Sequence, residues 1–263
     1  MDLISKRLFA QPDTTINNPI ILMYHGTPDS SILNEYDVST DNFKRHLDLL
    51  KQNGWQTVTV SELDANKTFP GKTIVITFDD GYYNNYKGAY QELLKREMRA
   101  TWFIVSSTIG NTSTWLYENT VQQPMLNNEQ LSDMSHHGME IGSHTSSHTK
   151  LTQLTHDEIY NELVTSRNSI ADIINKEITS FAYPYGVFDT QIIDLVKKAG
   201  YKTACSTRSG KNNMTDDIFK LRRITVSADD SLSSFARKIA LADNNVGIMN
   251  TSKYILSRLT KRF

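Results

Sequence analysis

Ile74-Val75-Ile76-Thr77-Phe78-Asp79-Asp80-Gly81 reads as a buried strand that ends in two adjacent carboxylates and a glycine. Outward from it, short β-type runs alternate with amphipathic helical stretches. Pro19 to Tyr24 precedes a helix at Asp41 to Asn53, Thr57 to Val60 precedes a turn at Ser61 to Ala65, and Thr73 to Phe78 precedes a helix at Asn85 to Glu97. The alternation continues with Ala100 to Val105, a helix at Asn128 to His136, Glu140 to Ser143 and a helix at Thr155 to Asn175. It ends with Ser180 to Ala182, a helix at Thr190 to Ala199, and Lys202 to Ser206. Such alternation predicts an α/β fold with a parallel sheet inside and helices outside, and about seven units suggest a closed or nearly closed barrel.

Boundary signals agree with this division. Ser39-Thr40-Asp41 forms an N-cap cluster, Asn53-Gly54 ends the helix that follows, and Thr155 with Glu158 has the spacing of a capping box. No repeat, low-complexity run or Pro/Gly linker divides the chain, so one domain over residues 1–263 is expected. With 38% apolar residues a substantial core is available. Lys plus Arg (28) nearly balances Asp plus Glu (29), which gives no electrostatic case for a nucleic-acid partner. The lone Cys205 excludes an intrachain disulfide and reads as a buried, inert thiol. No segment approaches the roughly 20 apolar residues of a spanning helix, and Met1 to Gln11 lacks an apolar run of signal-peptide length, so a soluble, cytoplasmic protein is expected. The run from Lys253 to Phe263 mixes cations with apolar residues at helical spacing. It reads either as a C-terminal helix packed on the domain or as a basic helix in peripheral contact with an anionic membrane.

A second stretch carries chemistry: His144-Thr145-Ser146-Ser147-His148. Two imidazoles four positions apart can reach one metal ion, and a carboxylate from elsewhere completes a three-ligand set with an open position, the layout of a catalytic site. In a parallel barrel the C-terminal ends of strands share one face. Tyr24-His25-Gly26, Asp79-Asp80, His144 and Tyr183-Pro184-Tyr185-Gly186 all follow strands and so fall on that rim. Adjacent residues at a strand end point in different directions, so Asp79 and Asp80 are expected to divide their work. With Asp80 as ligand, two nitrogens and one oxygen suit Zn²⁺, Co²⁺, Ni²⁺ or Fe²⁺ better than Mg²⁺ or Ca²⁺. Asp79 is then placed to act as general base toward a metal-activated water. Alone, an Asp-Asp-Gly is an ordinary turn and a His-x3-His is weak; their occurrence at successive strand ends is what points to a metal.

Thr-Phe-Asp-Asp-Gly, His-Thr-x-x-His and Phe181-Ala182-Tyr183-Pro184-Tyr185-Gly186, in this order, resemble the motifs of the polysaccharide deacetylases, the NodB-homology enzymes of carbohydrate esterase family 4. The resemblance runs from about Ile20 to Val226. It implies a distorted (β/α)7 barrel, a divalent metal, and hydrolysis of acetyl groups on an N-acetylated glycan or glycan precursor. Carried over by position, it makes Asp79 the base, Asp80, His144 and His148 the metal ligands, and Tyr185 the residue whose backbone N–H helps form an oxyanion hole.

Two positions depart from the common pattern. Ala182 stands where many members have an Arg that pairs with the base. The Tyr-Pro-Tyr-Gly version resembles the branch of poly-N-acetylglucosamine deacetylases, where an Arg in a later Leu-x-Arg-Ile segment substitutes; here that is Arg223, which otherwise reads as a strand-flanking cation. No His follows His156, so the usual C-terminal acid is missing, and His25 is the remaining candidate, with a hydrogen-bonded structural His as the other reading. Removal of another acyl group from a lipid- or nucleotide-linked sugar, and glycan binding without turnover, stay open at this point. Among the aromatics, Tyr82, Tyr83, Trp115, Tyr117 and Tyr183 read as sugar platforms or as core, Trp115 being the least core-like.

Overall fold

The computed structural model describes residues 1–10, 19–30, 34–63, 69, 71–115, 122–213, 216–247 and 249–254. Among them eight strands carry the fold: β1 (Ile20–Tyr24), β2 (Gln56–Val58), β3 (Thr73–Phe78), β4 (Thr101–Ile104), β5 (Glu140–Ser143), β6 (Ser180–Ala182), β7 (Thr203–Cys205) and β8 (Ile224–Thr225). All pair in parallel, in the order β7-β6-β5-β4-β3-β1-β8. Every residue of β3 is buried. The pairing explains why: β1 lies along one edge of β3, while β2 covers the first half of the other edge and β4 its end, from Thr77 opposite Thr101.

The sheet curls until its ends meet. Leu221 bridges Cys205 of β7, and three residues further on β8 begins to pair with Leu22 and Met23 of β1. Residues 221–225 are thus a seam shared by the first and last parts of the sheet. The expected barrel is in this sense nearly closed, through one short run rather than a full pair of strands.

Side-chain alternation along the strands sorts the core into two parts. Ile20, Leu22, Tyr24, Ile74, Ile76 and Phe78 join the large cluster beneath the helices, while Ile21 and Val75 join a small interior one with Val60, Phe103, Ala182, Cys205 and Leu221. Phe78 stacks on Trp102 with centroids 4.7 Å apart and on Tyr24 at 5.4 Å, which pins β1, β3 and β4 to one another. Truncating such a side chain to Ala costs about 3–5 kcal/mol. Burial pushes the Cys205 thiol up to about 12, consistent with an inert role.

The helices are α1 (Leu3–Ala10), α2 (Thr40–Gln52), α3 (Gln91–Leu94), α4 (Asn128–His136), α5 (His156–Ile174), α6 (Thr190–Lys198) and α7 (Leu232–Leu241). Ser39 caps α2, its hydroxyl accepting from the Asn42 N–H, and Phe43, Leu47 and Leu50 form the buried stripe. Three elements were not expected from the sequence: α1, α7 and β8. The first two make each other, since α1 packs on α7 and Phe9 lies 5.6 Å from Trp55. The stretch read as one helix from Asn85 to Glu97 opens instead as a π-turn over Tyr86–Tyr90. There the Thr27 hydroxyl accepts from the Ala89 N–H, and a Cβ on Gly88 would lie 2.5 Å from the Thr27 carbonyl. No helix among the described residues is long and apolar enough to cross a membrane. The basic C-terminal stretch lies outside the described residues beyond Tyr254, as does Tyr117.

Candidate active site

The strand ends deliver their polar groups to one cleft of about 590 Å³. His25, Asp79, Asp80, His144, His148 and Tyr185 all line it. Arg223 does not reach the cleft surface; it lies fully buried behind Asp79.

Backbone pairing carries past the strands and sets these positions. The Asp79 N–H donates to Tyr24 O at 3.0 Å, extending the β1–β3 ladder, and the His144 N–H donates to Ile104 O at 2.8 Å, extending β4–β5. The chain then turns sharply. Asp80 (φ 73°), Thr145 (φ 68°), His148 (φ 58°) and Tyr185 (φ 58°) all occupy the left-handed region, four of the seven non-glycine residues that do so among those described. Each such conformation costs on the order of 1–2 kcal/mol, and their concentration at one rim marks a functional constraint. Gly186, next to Tyr185, admits no side chain: a Cβ would lie 1.9 Å from the Thr207 hydroxyl.

The three proposed ligands converge. Donor atoms of Asp80, His144 and His148 lie within 4.8 Å of one another. Asp80 Oδ1 is 3.6 Å from His144 Nε2 and 3.3 Å from His148 Nε2. His144 Nδ1 sits 2.8 Å from Ala182 O, which fixes the tautomer with Nδ1 protonated and leaves Nε2 free to donate its lone pair. Burial pushes both imidazoles down to about 4, so both are neutral at pH 7, as metal ligands must be. Asp80 Oδ1 is buried with no hydrogen-bond partner. An orphaned buried carboxylate oxygen facing two neutral nitrogens fits a divalent cation at their centre.

Asp79 is held differently. Arg223 Nη1 donates to Asp79 Oδ1 at 2.6 Å and Nη2 to Oδ2 at 2.7 Å, a bidentate pair. Arg223 also donates from Nε to Ser206 O at 2.9 Å and from Nη1 to the Thr77 hydroxyl at 3.2 Å, so its plane is fixed by the strand ends. Burial alone would raise the Asp79 carboxyl; the guanidinium outweighs it and holds the group well below the usual carboxylate range. The strand-flanking reading of Arg223 does not describe this geometry. Ala182 is buried in the interior cluster and contributes its carbonyl to His144, while the cation comes from β8's side of the seam.

His25 Nδ1 is buried without a partner, and the ring lies 5.1 Å from that of Tyr36. The hydrogen-bonded structural reading therefore has no partner for that nitrogen. Tyr82, Trp115 and Tyr185 wall the cleft, the last two with rings 4.6 and 4.7 Å from that of His148. Burial, with the Asp80 carboxylate, raises the Tyr82 hydroxyl far above its ordinary value. Tyr183 is core, stacked on Phe188 with its hydroxyl on Phe219 O.

One supporting residue escaped the sequence. Glu162 of α5 accepts from the Ser146 and Ser147 N–H groups at 2.9 and 2.8 Å and from the Ser147 hydroxyl at 2.8 Å. It thereby clamps the loop between the two histidines. Its only local signal is an acidic residue on a helix, indistinguishable from a solvated one.

The family model described as polysaccharide deacetylase matches residues 66–204. The Bacillus subtilis protein YxkH is 32% identical over 223 residues, which cover 83% of this chain and 75% of that one. A poly-beta-1,6-N-acetyl-D-glucosamine N-deacetylase of Staphylococcus aureus is 26% identical, covering 81% of this chain and 80% of its own. Among solved structures, a polysaccharide deacetylase of Bacillus cereus superposes with a TM-score of 0.72 at 25% identity, over 84% of this chain and 68% of that one. IcaB of Ammonifex degensii shares the fold, with a TM-score of 0.73 at 24% identity over 86% and 97% of the two chains.

Proposed function

Since the chain belongs to the polysaccharide deacetylase family, we propose that it hydrolyses the N-acetyl amide of an acetylated glycan with Asp79, Asp80, His144, His148, His25, Tyr185 and Arg223 in distinct roles. The observation that carries this is a single cleft in which three neutral or anionic donors converge beside an arginine-oriented carboxylate.

Asp80, His144 and His148 hold the metal, and a two-nitrogen, one-oxygen set suits zinc, with cobalt, nickel or iron as substitutes. Such a metal supplies Lewis acidity toward water and the amide carbonyl. Asp79, kept ionised and aimed by Arg223, takes the proton from the attacking water as its oxygen bonds to the acetyl carbon. The Tyr185 N–H, presented by its left-handed backbone, donates to the carbonyl oxygen as negative charge develops. His25 gives a proton to the nitrogen as the C–N bond breaks, releasing acetate and a sugar amine. Poly-beta-1,6-N-acetyl-D-glucosamine, named for the Staphylococcus relative, is the first polymer to test.

Acetate release from N-acetylglucosamine oligomers, with and without chelator, tests the reading in wild type and Asp79→Asn. Activity that survives both treatments contradicts it. Calorimetry of zinc binding to His148→Ala tests the ligand set independently, and unchanged affinity would refute that assignment.

A further inference from the structure

The walls of the cleft are not electrically equivalent. No Lys or Arg is among the described residues that line it, whereas Glu35, Asp37, Asp79 and Asp80 are. Asp79 is neutralised by Arg223, and Asp80 faces the metal position. Glu35 and Asp37 have no such counter-charge among the described residues.

Asp37 is only 9% exposed, an unusual position for a carboxylate without a cation. Its Oδ2 accepts from the Asn34 N–H and Nδ2 at 3.0 and 2.9 Å, while Oδ1 accepts nothing among the described residues. Oδ1 lies against Gly26, where a Cβ would come within 2.1 Å of it, so the glycine beside His25 makes room for this oxygen. The Asp37 carboxylate, largely buried on the wall of the cleft and hydrogen-bonded through Oδ2 to Asn34, keeps Oδ1 available to a donor from a ligand.

The acidic wall also continues beyond the cleft. Glu35 lines both the catalytic cleft and an adjoining polar one of about 470 Å³, whose lining includes Ser227, Asp229, Asp230 and Asn244. The cation there, Lys238, is spent on Asp230 at 2.5 Å, and Asp229 stands exposed. On the opposite wall, Lys150 lies 5.1 Å above the Tyr185 ring. The carboxylates Asp37, Glu35 and Asp229 therefore line two adjoining clefts that share Glu35, where the one cation among the described lining residues, Lys238, is already paired with Asp230.

We propose that this acidic wall, formed by Asp37 and Glu35 and continued by Asp229, binds already de-N-acetylated, ammonium-bearing sugar units adjacent to the acetylated unit at the metal site, and disfavours phosphate-linked sugars. The inference rests on the deacetylase reading and deepens it. A charged donor satisfies the open Asp37 oxygen better than a hydroxyl does. A phosphate would meet like charge on the same wall.

The test is calorimetry on the zinc-loaded protein at low salt and about pH 6, where a sugar amine is a cation. The probes are a fully acetylated N-acetylglucosamine tetramer, the same tetramer carrying glucosamine units, and UDP-N-acetylglucosamine. The glucosamine-bearing tetramer is expected to bind tightest, and the exposed Glu35→Gln is expected to reduce its advantage about threefold, with Asp37→Asn reducing it further. High salt should erase the same advantage. Equal affinity for the two tetramers, an advantage untouched by Glu35→Gln, or tightest binding of the nucleotide sugar overturns the proposal. Affinity and acetate release are measured separately, so an intact affinity order with no acetate release would count against the deacetylase reading and leave this one standing.

Discussion

The two ends of the sheet each hold a carboxylate, and they treat it in opposite ways. At the start of β5, Glu140 is saturated. Its Oε2 accepts from the Ser61 N–H at 3.0 Å and the Thr101 hydroxyl at 2.7 Å, and Oε1 accepts from the Ser180 hydroxyl at 2.5 Å. At the C-terminal rim, Asp80 Oδ1 is buried with no donor at all. Glu140 ties β2's loop, β4, β5 and β6 together; Asp80 Oδ1 ties nothing, and the residue sits in a left-handed conformation. A saturated carboxylate is a fastener, and an orphaned one is a binding site in waiting. Asp79 stands between these cases, fully hydrogen-bonded yet within the cleft.

The sharpest way to break the contrast is Asp79→Asn. It strands a fully buried guanidinium and should lower stability by about 3–5 kcal/mol, measured by urea denaturation of the zinc-free protein. Acetate release should fall by about 10²–10⁴-fold in the same variant. Loss of activity with unchanged stability would mean that the Arg223 pair contributes nothing to the fold.

Next in size is acid. His46, buried and pushed down to about 3, shares the depressed values of His144 and His148 at about 4. The unfolded chain takes up protons near the ordinary pKa of about 6.5 while the folded one does not, so this stability is complete above that pH. It drains away as pH falls toward about 4, by on the order of 2 kcal/mol per imidazole. Bound zinc should protect two of the three, and identical acid curves with and without zinc would contradict the ligand assignment.

Glu140→Gln comes third, at about 1–3 kcal/mol of stability with zinc affinity unchanged, because it unmakes a fastener far from the rim. Glu162→Gln should cost a similar amount of stability and, unlike Glu140→Gln, also weaken zinc binding about tenfold by loosening the Ser146–Ser147 loop. The smallest stability change belongs to Asp80→Asn in the zinc-free protein, within about 0.5 kcal/mol of wild type, since no native hydrogen bond to Oδ1 is lost. A large loss there would show that Asp80 is structural after all.

What was legible in the sequence is what is local. The buried run ending at Phe78 and the four-residue spacing of His144 and His148 are patterns within one element, and seven of the eight described strands follow from such patterns. The pairing of Asp79 with Arg223 spans 144 residues, and only the family resemblance drew attention to Arg223. Glu162, Glu140 and Asp37 were invisible for the same reason: their meaning lies in which donors the fold brings to them. Helices α1 and α7 went unread although both carry local signals: Asp2 accepts from the Ser5 N–H, Ser231 from the Ser234 N–H, and Phe235, Ala236 and Ile239 form the buried stripe of α7.

The seam at residues 221–225 has a temporal consequence. A nascent chain emerging from the ribosome N-terminus first exposes Asp80, His144 and His148 well before Arg223 leaves the tunnel. The three proposed ligands are therefore all synthesised while Asp79 still lacks its guanidinium. Only when the run that closes the sheet arrives does Asp79 acquire its bidentate partner, so the last stitch of the barrel is also what orients the proposed base.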